Sequence, residues 1–421
     1  MNELQYGAET KLPKLRILLY NGDASLMPLE SVTKEKYVKA EIGIHSGSGG
    51  LELSPAEFKG RGYGSWIPPK KSYRIKFENK QTFLGMPASR HWCLIAGVWN
   101  NKDGSLLKSD SAYTLTRTVL KNIEYATRTQ PVEVYVNNLY HGVYTLSEKI
   151  RVEKNKVNIV SEHNVLDTGY LLNYVWAGHT YRTPPIAKFQ ARGLKQAPQG
   201  IKGCVSKAVY FVIKSPDAGD IGVKRGAYQS GFAEQVKFIQ AETQKLADAL
   251  VALDYEKLNK IANIPSFVDN LIIQELYKNY DYGAGGCYLY KKPCPPDGDG
   301  KFHAGPPWDF DWTVNDYYTD WFVTAGAGNP NPFATYPYAM LGFKADVIKR
   351  WKVVSPSVKA FIKKFFNYYL DNPDYPYAFG RNFVRWDNKS QAQAAKDWRS
   401  DTTYLRDWLL YRAKWLDRQW R

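Results

Sequence analysis

The sequence predicts an α+β protein with a strand-rich first half and a helix-rich second half. Three observations carry this reading. Short runs of alternating apolar and polar residues crowd the chain up to residue 215, and apolar residues recur at helical spacing from residue 216 onward. The 31 Tyr, 18 Phe and 13 Trp need a sizeable interior. The expectation is a two-lobed enzyme, residues 1–215 forming the strand-rich lobe and 216–421 the helical lobe, with a cleft between.

The strands are expected at LRILLY, KYVKAEIGIH, SYRIKF, HWCLIA, PVEVYVNN and YHGVYTLSEKI, between Leu15 and about Val160. Val132, Val134 and Val136 alternate with Glu133 and Tyr135, and Asn137-Asn138 is a turn signal, so residues 131–148 read as a hairpin. One helix interrupts, from about Ser105 to Asn122, with Leu106, Leu107, Ala112, Leu115 and Val119 near a 3.6-residue period. GYLLNYVW and AVYFVIK are further strands around a Gly/Pro-rich loop from Arg182 to Gly203. Helices follow over Tyr228–Leu253 and Ile264–Asn279, the second capped by Ser266 with Asp269 three residues on. Strands return at CYLYKK and PPWDFDW. The closing helix carries Leu405, Trp408, Leu409, Arg412 and Leu416 on one stripe, the pattern of a packing face.

Composition narrows the function classes. The formal charge of +16 favours anionic partners without naming one, and no recognised nucleic-acid module accompanies it. No apolar run is long enough for a transmembrane helix. Four Cys without a CxxC give neither a disulfide framework nor a zinc knuckle. The six His show no HExxH spacing, and no GxSxG, Walker or helix-opening GxGxxG sequence occurs. The first residues lack the basic start and apolar stretch of a secretory signal, which leaves a cytoplasmic protein or one whose leader lies outside this sequence.

Four segments can carry chemistry. In Gly60-Arg61-Gly62-Tyr63-Gly64 alternate glycines let backbone N–H groups approach a phosphate, with Lys70 and Lys71 nearby to meet its charge; a plain turn is the competing reading. By strand alternation Lys70, Ser72, Arg74 and Lys76 share one face and Lys71, Tyr73 and Ile75 the other, so burial of Ile75 would draw Lys71 inward. In Trp308-Asp309-Phe310-Asp311-Trp312, an extended backbone would aim Asp309 and Asp311 the same way, toward a divalent metal or toward Lys and Arg. Asp281, where a helix gives way to a Gly-rich stretch, suits a general base or a turn. Glu148, at a strand end, can pair with a phosphate-binding lysine or stand solvated.

Taken in order, GRGYGSWIPPKKSYRIKF, FLGMP, HWCLIAG, VEVYVNNLYHGVYTLSEKI, SFVDNLIIQELYKNYD, CYLYKK and GPPWDFDW resemble the CotH family of atypical protein kinases, first associated with bacterial spore coats. The resemblance implies a protein-kinase-like two-lobed fold that binds ATP with Mg²⁺ or Mn²⁺ and transfers the γ-phosphoryl group to Ser or Thr of an extracytoplasmic or envelope-associated protein. Asp281 then matches the catalytic Asp, Asp309 the metal-binding Asp with Asp311 its neighbour, Lys71 the nucleotide lysine ahead of Lys70 and Lys76, and Glu148 its ion-pair partner. In many kinases a metal-binding Asn follows the catalytic Asp by five residues; here Gly286 stands there. The rival readings are AMP transfer by the same fold and a catalytically weak or inactive surface or scaffold module, perhaps carbohydrate-associated, whose aromatic residues bind polymer.

Overall fold

The computed structural model describes residues 10–22, 24–45, 52–97, 103–180, 183, 185–195, 209–216, 231–279, 281–283, 285–314, 322 and 331–421. They pack as two units interleaved along the chain. The first comprises Met1–Thr114, Arg128–Lys149 and Ala360–Trp408; the second comprises Leu115–Thr127, Ile150–Lys359 and Leu409–Arg421. Residue 215, where the sequence suggests a boundary, falls inside the second unit.

In the first unit seven strands close into a barrel: β1 (Lys14–Tyr20), β2 (Val38–His45), β3 (Ser54–Arg61), β4 (Ser72–Gln81), β5 (Ser89–Ile95), β6 (Thr129–Val136) and β7 (Leu139–Glu148). Their order is β1-β2-β3-β4-β5-β7-β6, closed by parallel pairing of β1 with β6. Alternation explains the closure. Leu15, Ile17 and Leu19 of β1, Tyr73, Ile75 and Phe77 of β4, and Val132, Val134 and Val136 of β6 are buried together in one apolar cluster. A closed barrel leaves no strand edge unpaired. The expected hairpin is β6-β7, and Asn137 and Asn138 both take positive φ, 49° and 68°, as its two-residue turn requires.

The helix expected from Ser105 is α1 (Lys108–Thr118), shorter at both ends. The second unit holds a five-stranded antiparallel sheet of β8 (Tyr170–Trp176), β9 (Lys188–Phe189), β10 (Val209–Ser215), β11 (Cys287–Lys291) and β12 (Phe302–Ala304), in the order β12-β11-β8-β10-β9. Its helices are α2 (Phe232–Val251), α3 (Tyr255–Ile261), α4 (Ile264–Tyr277) and α5 (Pro332–Ala339). Three more helices follow: α6 (Leu341–Leu370), α7 (Asp374–Asp387) and α8 (Gln391–Gln419). The α+β class is thus confirmed. The closing stripe on α8 is buried at Leu405, Trp408, Leu409, Arg412 and Leu416, as its spacing predicts. Of the loop expected over Arg182–Gly203 and the helix start at Tyr228, residues 182, 184, 196–203 and 228 lie outside the described residues.

Two local expectations are corrected. The N-cap of α4 is Asn263, whose side chain accepts from the Ser266 N–H at 3.1 Å; Ser266 sits inside the first turn and donates its hydroxyl to the Asn263 carbonyl. PPWDFDW is not a strand. β12 stops at Ala304, Gly305 takes φ 102°, and Pro306 and Pro307 have no N–H to offer a ladder.

Candidate functional site

Helix α4 is buried on every face, so each polar side chain on it needs a partner inside the second unit. Asp269 accepts from Arg350 Nε at 2.7 Å and from the Asn122 N–H at 3.0 Å. Glu275 accepts from Arg412 Nη2 at 3.1 Å, and Asn270 Nδ2 donates to the Tyr282 hydroxyl. The helix ends at Lys278 in the left-handed region, φ 49°, which swings the chain out of the helical path at Asn279.

Asn279 is the hub. Its buried amide donates from Nδ2 to Gln274 Oε1 at 2.9 Å and to the Asp309 carbonyl at 3.2 Å, while its Oδ1 accepts from the Asp281 N–H at 3.1 Å. One side chain therefore ties the end of α4 to both acidic segments, although Asp281 and Asp309 are far apart in sequence. The Asp281 carbonyl accepts from the Gly285 N–H at 3.0 Å, closing the turn that follows.

The Asp309 segment is pinned from the other side. Phe310 is fully buried and meets the Tyr277 ring edge-on, with centroids 5.5 Å apart. Asp309 itself has φ 71°, a left-handed conformation that costs free energy in a non-glycine residue and recurs where a side chain must be aimed. The same-side geometry expected of an extended Asp309-Phe310-Asp311 is therefore not what holds these acids; Asp309 is aimed by a turned backbone. Asp281, Asp309 and Asp311 are all half-buried.

Gly286, where the resemblance leads one to expect an Asn, has no room for a side chain. A Cβ built there would lie 2.6 Å from the Trp308 carbonyl oxygen and 2.8 Å from Asp309 Cβ, and its φ is 69°. The acidic segment packs directly onto that backbone, leaving no volume for an Asn side chain.

The candidates of the first unit have local partners. Gly60 donates its N–H to the Thr33 carbonyl at 2.8 Å, and a Cβ there would lie 2.2 Å from the Trp66 ring. Gly62 has φ 95°, and Gly64 opens a 3₁₀ turn through Trp66. Arg61 closes β3 opposite Ser72. Lys71 Nζ donates to the carbonyls of Trp66 at 2.7 Å and Pro68 at 3.0 Å, so its ammonium staples the turn. The lysine drawn inward is Lys70, not Lys71: it is 3% exposed and donates to the Ala96 carbonyl at 2.9 Å and to the Val143 carbonyl. Burial holds its ammonium down to about 7 against the opposing pull of Asp103 and Asp387. Glu148 is fully buried and accepts from the Arg128 N–H at 3.0 Å and from Arg128 Nη1 at 3.2 Å, so its observed partner is an arginine.

The site residue that the sequence alone does not single out is Asn279, which enters there only as the end of the expected helix Ile264–Asn279. An amide just past the end of a buried helix and two residues before an acid was its available signal.

A family model described as CotH kinase protein matches residues 56–416. No curated protein matches the chain. The family match takes in the barrel from β3 onward, both acidic segments and most of α8, and on that coverage the chain belongs to the CotH family.

Proposed function

We propose that this chain is a metal-dependent phosphotransferase that moves the γ-phosphoryl group of ATP to a Ser or Thr hydroxyl of a protein, with Asp281 as the proton acceptor and Asp309 as the principal metal-binding group. The observation that carries the reading is the Asn279 amide, which fixes the backbones of both acids in one network. Acidic segments with fixed backbones are what phosphoryl transfer needs, since positioning and charge stabilisation supply most of the catalysis.

The donor set fits a hard cation. Asp309 and Asp311 offer carboxylate oxygens, and Mg²⁺ is commonly held by one or two carboxylates with phosphate and water oxygens completing its shell. Among the described residues no three His, Cys, Asp or Glu side chains converge on a metal position, so this reading asks only carboxylates of the Asp309 segment of the protein, with phosphate and water supplying the rest. When bound, the metal would neutralise charge on the β- and γ-phosphates.

The chain's own contribution is orientation and proton transfer. The acceptor hydroxyl would sit at the Asp281 carboxylate; as its oxygen bonds to the γ-phosphorus, the bond from that phosphorus to the β,γ-bridging oxygen breaks and the hydroxyl proton passes to Asp281. Asn279 holds the Asp281 backbone through its N–H. Gly60, Arg61, Gly62, Gly64, Lys71 and Glu148 are left out of these steps, because the partners found for Gly60, Lys71 and Glu148 lie within the first unit. No helix of the described residues is long and apolar enough to cross a membrane.

The test is incubation with Mg²⁺ and ATP labelled at the α or the γ position, for wild type, Asp281→Asn and Asp309→Ala. γ-Label should appear on protein hydroxyls, falling ~10²–10⁴-fold in Asp281→Asn, and α-label should not. Transfer that survives Asp309→Ala removes that residue from the metal site. Transfer of α-label would turn the assignment to AMP transfer.

A further inference from the structure

Tyr282, the residue after Asp281, carries polar contacts that none of the proposed steps uses. It is 3% exposed. Its hydroxyl accepts from Asn270 Nδ2 on α4 and donates to the Cys287 sulfur on β11, while its carbonyl accepts from Asn331 Nδ2 at 2.8 Å. Asn331 is buried in turn, and caps α5 by accepting from the Phe333 N–H at 2.9 Å. Three elements of the second unit, α4, β11 and α5, therefore meet at this one residue.

The polar groups behind Tyr282 run toward the Asn279 hub. Asn270 and Gln274 are four apart on α4 and share a face of that helix. The Asp281 N–H and the Asp309 carbonyl fix the orientation of the Asn279 amide, so Gln274 has to offer its oxygen to Asn279 Nδ2 and its own Nε2 is left over. Because the Tyr282 hydroxyl donates to sulfur, Asn270 has to meet it with Nδ2, and its Oδ1 is left over. These two atoms, a donor and an acceptor, are buried without a hydrogen-bond partner among the described residues. Half-satisfied amides are costly inside a helix buried on every face, and apolar side chains would cost less there. Stability alone does not account for amides at these two positions. Placement of the turn that they flank does.

Asp281 lies between two fixed points. Its N–H is bound to Asn279 Oδ1 on one side, and on the other the next residue is anchored through both hydroxyl and carbonyl. Consecutive Cα atoms are held ~3.8 Å apart, so a shift of Tyr282 carries Asp281 with it. We infer that Tyr282 is a positioning residue, whose anchorage on Asn270, Cys287 and Asn331 sets where the Asp281 carboxylate stands. The catalytic consequence rests on the phosphotransferase reading; the hold on the turn does not.

The test compares wild type, Tyr282→Phe, Asp281→Asn, the double variant, and Asn263→Ala as a variant that disturbs only the far end of α4. With Mg²⁺ and γ-labelled ATP, Tyr282→Phe should lower kcat per folded molecule at least about tenfold, within the ~10²-fold scale of a 1 Å misplacement, and change KM for ATP by less than about twofold. In the Asp281→Asn background the same substitution should bring no further loss, because the group that it positions is gone. Hydrogen exchange supplies a readout without turnover. After correction for global stability, the Asp281 amide should exchange at least about tenfold faster in Tyr282→Phe and at the wild-type rate in Asn263→Ala. Should Tyr282→Phe not fold, Asn331→Ser keeps a capping oxygen for α5, removes the donor to the Tyr282 carbonyl, and should show the same signatures. A full further loss in the Asp281→Asn background, or wild-type exchange at Asp281 in the folded variants, would overturn the inference. Absence of γ-transfer in wild type would overturn the phosphotransferase reading and the catalytic consequence with it, and exchange at Asp281 would still decide whether Tyr282 holds the turn.

Discussion

Gly60 and Gly286 stand in glycine-rich stretches that look alike in sequence, and at both a Cβ would collide with a neighbour, at 2.2 Å and 2.6 Å. The neighbours differ. At Gly60 the neighbour is the Trp66 ring, and the nearby Lys71 ammonium caps the same turn, so the stretch is organised around its own packing. At Gly286 it is the backbone of Trp308, one residue before an acid in a left-handed conformation, so the stretch lets the Asp309 segment approach the Asp281 turn. Glycine spacing reports a close approach. What approaches decides whether the closeness serves a fold or a site.

The sharpest way to break this comparison is to add a methyl group at each position. Gly286→Ala meets both a positive φ and backbone atoms that cannot rotate away, at a cost of about 1–3 kcal/mol. Because the displaced atoms belong to Trp308 and Asp309, phosphoryl transfer per folded molecule should fall at least about 10²-fold, the scale of a 1 Å misplacement. Gly60→Ala should cost a similar ~1–3 kcal/mol by overpacking against Trp66, yet leave transfer per folded molecule unchanged. Denaturant unfolding paired with active-fraction kinetics separates the two. Equal activity losses would mean that the Gly60 turn also touches nucleotide.

A second contrast concerns the two lysines before β4. Lys70 has an ammonium pKa of about 7 in the folded chain against 10.5 as the ordinary value. Between these limits the unfolded chain binds the proton and the folded chain does not, so stability should rise as pH increases from about 7 toward 10.5. Lys70→Met should flatten that rise in melting temperature, whereas Lys71→Met should retain it. If wild type and Lys70→Met show parallel profiles over this window, Lys70 is not the buried amine responsible.

Much of the fold was readable because its signals are local. Alternation in LRILLY and SYRIKF placed β1 and β4, and Asn137-Asn138 placed the β6-β7 turn, since the required backbone conformations are written into those residues. The expectation that Lys71 turns inward is overturned for an equally physical reason. Alternation of faces holds only inside a strand, and β4 begins at Ser72, so Lys70 and Lys71 sit on an irregular lead-in after two prolines. The interleaving of the two units was likewise invisible, because Arg128–Lys149 and Ala360–Trp408 join the barrel's unit through contacts distant in sequence. At the site, the acids were legible as residue types. The Asn279 network joining them was not, because a hydrogen bond between residues thirty positions apart leaves no periodic trace.

The smallest effect sharpens the comparison inside the second unit, by separating a residue that holds α4 in place from one that organises its far end. Asn263 caps the start of α4 through the Ser266 N–H, and Asn263→Ala should lower stability by about 1 kcal/mol. Asn279, at the other end, answers Gln274, Asp281 and Asp309. Asn279→Ala should lower stability by a comparable one to a few kcal/mol, because buried partners lose their bonds, and should also reduce transfer at saturating ATP. The Asn263 variant should keep full turnover once its unfolded fraction is subtracted. If both variants lose turnover in proportion to stability alone, the Asn279 amide is structural and does not set the position of the two acids.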